Sequence, residues 1–164
     1  MKTVKLIANF GFSEYQNFGL FLIRVCIGIV FMLHGYPKMF GGIIKWAELG
    51  ATGMSSIGVD FILPFWGFMA AFSKFIGGIC LVLGLFFRPA ALLIFITMVF
   101  AALFHITSGK GSPASAIQLG VIVSALFISG PGKYSLDHLF FSKLSWKLSE
   151  STSTVALKFS AGRM

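Results

Sequence analysis

Between residues 61 and 87 the only charged side chain is Lys74. An apolar run of that length has one common use, since a helix crosses the hydrocarbon of a bilayer with about 20 apolar residues. Three further runs share the character: 18 to about 40, carrying Arg24, His34 and Lys38; 90 to about 106; and 113 to 129. The last two sit near the short limit of about 17 residues. Turn-forming or polar stretches separate the runs: GGIIKWAELGATGMSSIGVD, then RP, then TSGKGS, then GPGKYSLD. Pro89 and Pro113 suit the first turn of the helices they open, where the missing N–H costs nothing. The expected fold is therefore all-α: an integral membrane bundle of four transmembrane helices. It forms one domain, 1–141, followed by a basic Ser/Thr-rich tail, 142–164.

Composition agrees with lipid rather than water as the solvent. Only 11% of residues are charged and 57% are apolar, against about 25% charged in soluble domains. The net charge of +8 would elsewhere suggest nucleic acid, but the basic residues cluster at the ends of the apolar runs, where they orient membrane proteins. One side carries Lys2, Lys5, Arg88, Lys133, Lys143, Lys147, Lys158 and Arg163; the other carries Lys38, Lys45 and Lys110. The positive-inside rule then puts both termini in the cytoplasm. Trp46 and Trp66 near one face, and Tyr134 and Trp146 near the other, are placed as interfacial anchors. The tail reads either as a segment on the anionic lipid surface or as a solvated end. Cys26 and Cys80 have no CxxC or metal-type spacing, so neither a disulfide framework nor a metal site is expected. No signal-peptide cleavage pattern follows the short apolar run at the N-terminus.

The few polar residues inside the spans carry the functional question. At about 1.5 Å per residue, Lys74 lies about 20 Å, His34 and His105 about 24 Å, and Gln118 about 18 Å from the cytoplasmic end. Four helices thus bring polar side chains to one layer, and a shared intramembrane pocket is the sharper reading of that coincidence. Arg24 lies only about 9 Å in, within reach of Glu14 or Asp137. At 100° per residue, Arg24, Gly28, Phe31, Gly35 and Lys38 fall on one stripe, with His34 at its flank. Gly67, Lys74 and Gly78 share another. Small residues let membrane helices approach closely, so the faces of Gly28, Gly35, Gly67, Gly77 and Gly78 are expected at helix contacts, and charges there should point inward. All five acids (Glu14, Glu48, Asp60, Asp137 and Glu150) fall outside the apolar centres. Lys74 therefore has no acid at its depth; its partner is a histidine, a carbonyl, a lost proton or a bound anion. His34, His105 and Lys38 each also admit a purely structural use, as interhelical bonds or interfacial anchors.

The first run, LIRVCIGIVFMLHGYPKMFGG, resembles the opening signature of the DoxX family of small four-helix membrane proteins. GGICLVLGLFFRPAALLIFITMVFAALFHI is similar to that family's second and third helices, and SGPGKYSLDHLF to its end signature. The resemblance implies a multi-pass protein of the bacterial inner membrane, linked to thiosulfate:quinone oxidoreduction and to membrane-associated redox complexes. Where many members have E-x-x-G-G, this chain has Lys74-Phe75-Ile76-Gly77-Gly78, a base in place of the acid.

Two functions follow as expectations. One is a subunit of a redox complex that handles quinone or a small sulfur species; with no flavin, haem or metal motif of its own, it would receive electrons from a partner subunit. The other is a non-enzymatic membrane protein that binds a lipid or apolar ligand, or anchors a partner complex. Either is compatible with a homo-oligomer. A transporter is disfavoured, because no inverted repeat is visible.

Overall fold

The structure, a computed structural model, describes the backbone of residues 2–54 and 58–140 and the side chains of 15–54 and 58–140. The tail at 142–164 and Trp146 lie outside the described residues. Among the described residues five helices follow one another: α1 (Lys2–Met39), α2 (Gly42–Met54), α3 (Leu63–Leu83), α4 (Phe87–Ser108) and α5 (Ala114–Ser129). Three are long and apolar enough to cross a membrane: the Tyr15–Met39 part of α1, α3 and α4. The fourth, α5, is equally apolar but shorter, at 16 residues.

The stretch 42–54, expected as part of a connection, is a helix. It is amphipathic and too short to span, and it packs against the first half of α3. Two glycines decide this contact. A Cβ on Gly67 would collide with the carbonyl of Trp46, and one on Gly50 with the carbonyl of Leu63. The two backbones therefore touch directly, as small residues permit in membranes. The indole N–H of Trp46 donates to the carbonyl of Lys38 at 3.0 Å, which satisfies one of the carbonyls a helix C-terminus leaves open. Pro37, in the last turn of α1, offers no N–H to continue the ladder.

A second glycine seam joins α1 to α3. A Cβ on Gly78 would lie 2.8 Å from the carbonyl of Gly28, and one on Gly35 would lie 2.5 Å from the backbone nitrogen of Phe75. Gly77 faces α4 instead, where Ile94 fills the space above it. The buried face of α1 is the stripe Arg24, Gly28, Phe31 and Gly35. On α4 it is Ala90, Ala91, Ile94 and Met98, and on α5 Ala116, Gly120, Val123 and Leu126, each repeating at helical period. The core joins Phe31, Leu81, Phe87, Ile94, Met98 and Val123. It fills the half of the bundle that contains Arg24. The outward side chains, such as Leu33, Ile96, Val121 and Ile128, are apolar and exposed, as lipid-facing positions should be.

The Arg24 end is closed by the chain after α5. Gly84 caps α3 in the left-handed conformation (φ 65°), and a Cβ there would lie 2.6 Å from Nη1 of Arg24 and 2.7 Å from the side chain of Ser135. Glycine is required on both counts. The carboxylate of Asp137 accepts the N–H of Phe86 and that of Phe87, both at 3.0 Å. These are open donors at the N-terminus of α4, where a negative group is also favoured by the helix dipole. The N–H of Asp137 returns the contact by donating to the carbonyl of Gly84.

Candidate functional site

The other half of the bundle holds a cavity of about 620 Å³ between α2, α3, α4 and the last turn of α1. Its size is that of a small-molecule site, typically about 300–1,000 Å³. The wall is mostly apolar, from Leu49, Met54, Phe72, Phe100 and Phe104. Polar groups enter at separate places: Lys38 and Lys74 together, Ser73 beside Thr97, Trp66, and His105.

Lys74 sits on the inner face of α3, 8% exposed, at the level where Gly35 of α1 presses on its own backbone carbonyl carbon. Its amine is within hydrogen-bonding reach of the amine of Lys38. No aspartate or glutamate lines the cavity. Two like unit charges about 4 Å apart repel by about 4 kcal/mol at an effective dielectric of about 20; a bound anion or the loss of one proton removes that repulsion. Next to it, Ser73 and Thr97 share a hydroxyl–hydroxyl bond of 2.6 Å, and each donates or returns a bond within its own helix, to Ala70 and Leu93. That pair ties α3 to α4 beside the lysines. Trp66 lies eight residues before Lys74, about 12 Å along the helix. Its indole nitrogen is buried and has no hydrogen-bond partner among the described residues. At the far wall, Nδ1–H of His105 donates to the carbonyl of Lys110 at 2.6 Å. That bond leaves Nε2 as the acceptor in the neutral ring.

The polar layer expected from depth divides. Lys74, His105 and Lys38 line one cavity. His34 does not: it is exposed and its Nδ1–H donates to Val30 of its own helix at 2.8 Å. It lies one residue before buried Gly35, hence about 100° around the helix from the inner face. Gln118 is exposed on α5; buried Ala116 and Gly120 flank it at two residues' distance, which turns Gln118 to the opposite side. Arg24 is 2% exposed, but belongs to the opposite end. Its guanidinium donates to the carbonyls of Pro131 and Tyr134 at 2.5 and 2.6 Å and stands 5.5 Å from the ring of Phe21. The acid Asp137 acts on it through the field. Arg24 is thus a staple that holds the chain after α5 onto α1. Depth along a helix could not separate these cases, because it does not fix rotation.

Depth and glycine phase pointed to Lys74. Ser73, Thr97 and the Trp66 indole were missed. A serine or threonine in a span has no distinctive spacing, and Trp66 read as an interfacial anchor. Their role depends on α2 and α4 closing over α3. No group of three His, Cys, Asp or Glu residues able to hold a metal occurs among the described residues. A second cavity of about 700 Å³ lies at the Arg24 end, lined by Asn17, Arg88, Lys133, Asp137 and His138; Asp137 is committed there to capping α4.

Three apolar spans around a buried polar site make this a multi-pass membrane protein. The sequence profile of the DoxX family matches residues 19–106, and the chain belongs to that family. An uncharacterised protein of Haemophilus influenzae is 30% identical over 139 residues, covering 80% of this chain and 97% of its own. The inner membrane protein YqjF of Escherichia coli is 27% identical over 136 residues, covering 80% and 98%. No solved structure matches the chain.

Proposed function

We propose that this multi-pass inner-membrane protein is a ligand-binding subunit. It holds one apolar molecule with an oxygen-bearing head in the cavity between α1, α2, α3 and α4. The observation that carries this reading is the cavity itself, with a lysine nine-tenths buried in an otherwise apolar wall. An intramembrane charge that faces a bundle interior is costly and is retained for a function. In this reading α5 crosses the membrane as the fourth span and both termini are cytoplasmic.

The family resemblance sets the reading within a membrane-associated redox assembly, where the ligand is a quinone. The residues fit such a head group: Lys74 and Lys38 donate at one end, the unpartnered Trp66 N–H lies further along, and flat apolar walls lie between. A bound quinone supplies the acceptor for two electrons and two protons. The chain's own residues bind and orient it, and a partner subunit delivers the electrons. Membranes with and without the protein, assayed for quinone reduction with thiosulfate or sulfide as donor, test this. The expected result is a rate that depends on the protein and drops at least about tenfold, or 1.4 kcal/mol, in Lys74→Met. Equal rates in both membranes with every donor would remove the redox role.

The second reading, a binding protein without chemistry, is favoured by the mostly apolar wall, whose described lining residues include no aspartate, glutamate or cysteine. A lipid or quinone that co-purifies in stoichiometric amount, with no protein-dependent redox rate, is the outcome it expects.

A further inference from the structure

The head of the ligand carries a negative charge. We propose that the cavity selects a single-chain amphiphilic anion, a long-chain carboxylate, whose head sits between Lys38 and Lys74 and whose chain lies along the apolar wall of α3 and α4. This rests on the ligand-binding reading of the same cavity, and takes the occupant to be an anion in place of the quinone.

Three observations support it. First, the polar groups at the α1–α3 end are two amines within hydrogen-bonding reach of one another, with no carboxylate among the lining residues. A carboxylate accepts from both ammonium groups at once and cancels their repulsion, whereas a neutral carbonyl leaves a net repulsive pair. Neighbouring Ser73 and Thr97 donate their protons within their own helices and to each other; their oxygens can accept from an amine but bring no negative charge to offset two ammonium groups. Second, the rim of the cavity includes Phe65, Met69, Leu93 and Ile96, apolar side chains between 37% and 50% exposed. These side chains face acyl chains in a bilayer, so the cavity is entered from lipid. A membrane-dissolved amphiphile reaches the cavity by that route. Third, the volume of about 620 Å³ suits one drug-sized ligand and is too small to enclose a two-chain phospholipid.

The test uses the full chain, purified and placed in nanodiscs of zwitterionic lipid. Binding of labelled palmitate is measured against two neutral probes, hexadecanol and decylubiquinone. Saturable palmitate binding is expected, at least about tenfold tighter than hexadecanol. In Lys74→Met and, separately, Lys38→Gln, palmitate should weaken at least about tenfold. Hydrogen-exchange protection across α3 and α4 equal to that of the native chain shows that each variant is folded. Palmitate and hexadecanol bound alike by the native chain would overturn the charge selection and leave the ligand-binding reading standing. The same holds for decylubiquinone bound more tightly than palmitate. Failure of all three probes to bind would overturn both. Equal palmitate affinity in the native chain and both lysine variants would also refute the placement of the head group.

Discussion

Two basic side chains are buried among the described residues, and their surroundings give them opposite uses. Arg24 has its partners built in: the carbonyls of Pro131 and Tyr134 accept from its two terminal nitrogens. A planar fork suits two acceptors at fixed angles, which a lysine cannot match. Arg24→Met would leave two carbonyls without donors, at about 1–3 kcal/mol each. The expected outcome is a lower unfolding midpoint in detergent for Arg24→Met, only partly recovered in Arg24→Lys, with ligand binding at the other end retained in the folded fraction. A midpoint equal to the native one in Arg24→Met would show that the loop after α5 is held by something else. Lys74 has no such acceptor among the described residues; the side chain set against it is that of Lys38. Sequence separated the two by depth, with an acid in reach of Arg24 and none at the depth of Lys74, but it did not name the carbonyls that hold Arg24, because both residues lie on glycine-bearing stripes. The difference arises from the chain after residue 130, which folds back on Arg24 but is more than a hundred positions away from it.

Among the elements, α2 was the least legible. Residues 42–54 contain five apolar side chains of bulk but also Lys45, Glu48, Gly50 and Gly53, and a glycine-rich polar stretch of that length reads as a connection. Its helicity depends on tertiary packing, which commonly outweighs propensity. The crossing at Gly50 and Gly67 involves two residues in different helices, neither of which has meaning without the other. The long spans were legible because lipid demands an unbroken apolar length, and their approximate limits were legible from the RP and TSGKGS stretches, although the second apolar run covers 61 to 87 and α3 runs from Leu63 to Leu83. The crossing gives a prediction. Gly67→Ala places a methyl into the carbonyl of Trp46, and neither backbone can yield without moving a whole helix. α2 should detach from α3, seen as faster hydrogen exchange across 42–54 with the amides of α4 and α5 unchanged. Unchanged protection in α2 would mean that the two backbones are not in contact. A contrasting element-scale test is Asp137→Ala, which removes a side chain that caps α4 and should cost about 0.5–2 kcal/mol without altering α2.

For the molecule as a whole, the open step is whether α5 crosses the bilayer, since this decides where the C-terminus lies. At about 1.5 Å per residue, its 16 residues cover about 24 Å, against a hydrocarbon core of about 30 Å. Two features favour crossing. The helix carries no charged side chain from Ala114 to Ser129, and it buries Ala116, Gly120, Val123 and Leu126 along its length, packed on α4. A modest mismatch is met by local thinning of the bilayer at small cost. The charge distribution agrees, since a crossing places Lys133 on the side of Arg88 and leaves Lys45 and Lys110 together on the other. A reporter that is active only in the cytoplasm, fused after residue 164, should be active. Single cysteines replacing Lys45 and Lys110, with Cys26 and Cys80 changed to alanine, should react with a membrane-impermeant maleimide in intact cells, and one replacing Lys133 should not. A silent reporter together with a reactive residue 133 would make α5 a helix that enters and leaves on one face. The four-span bundle would then be wrong, although the cavity, which takes no residue from α5, would stand.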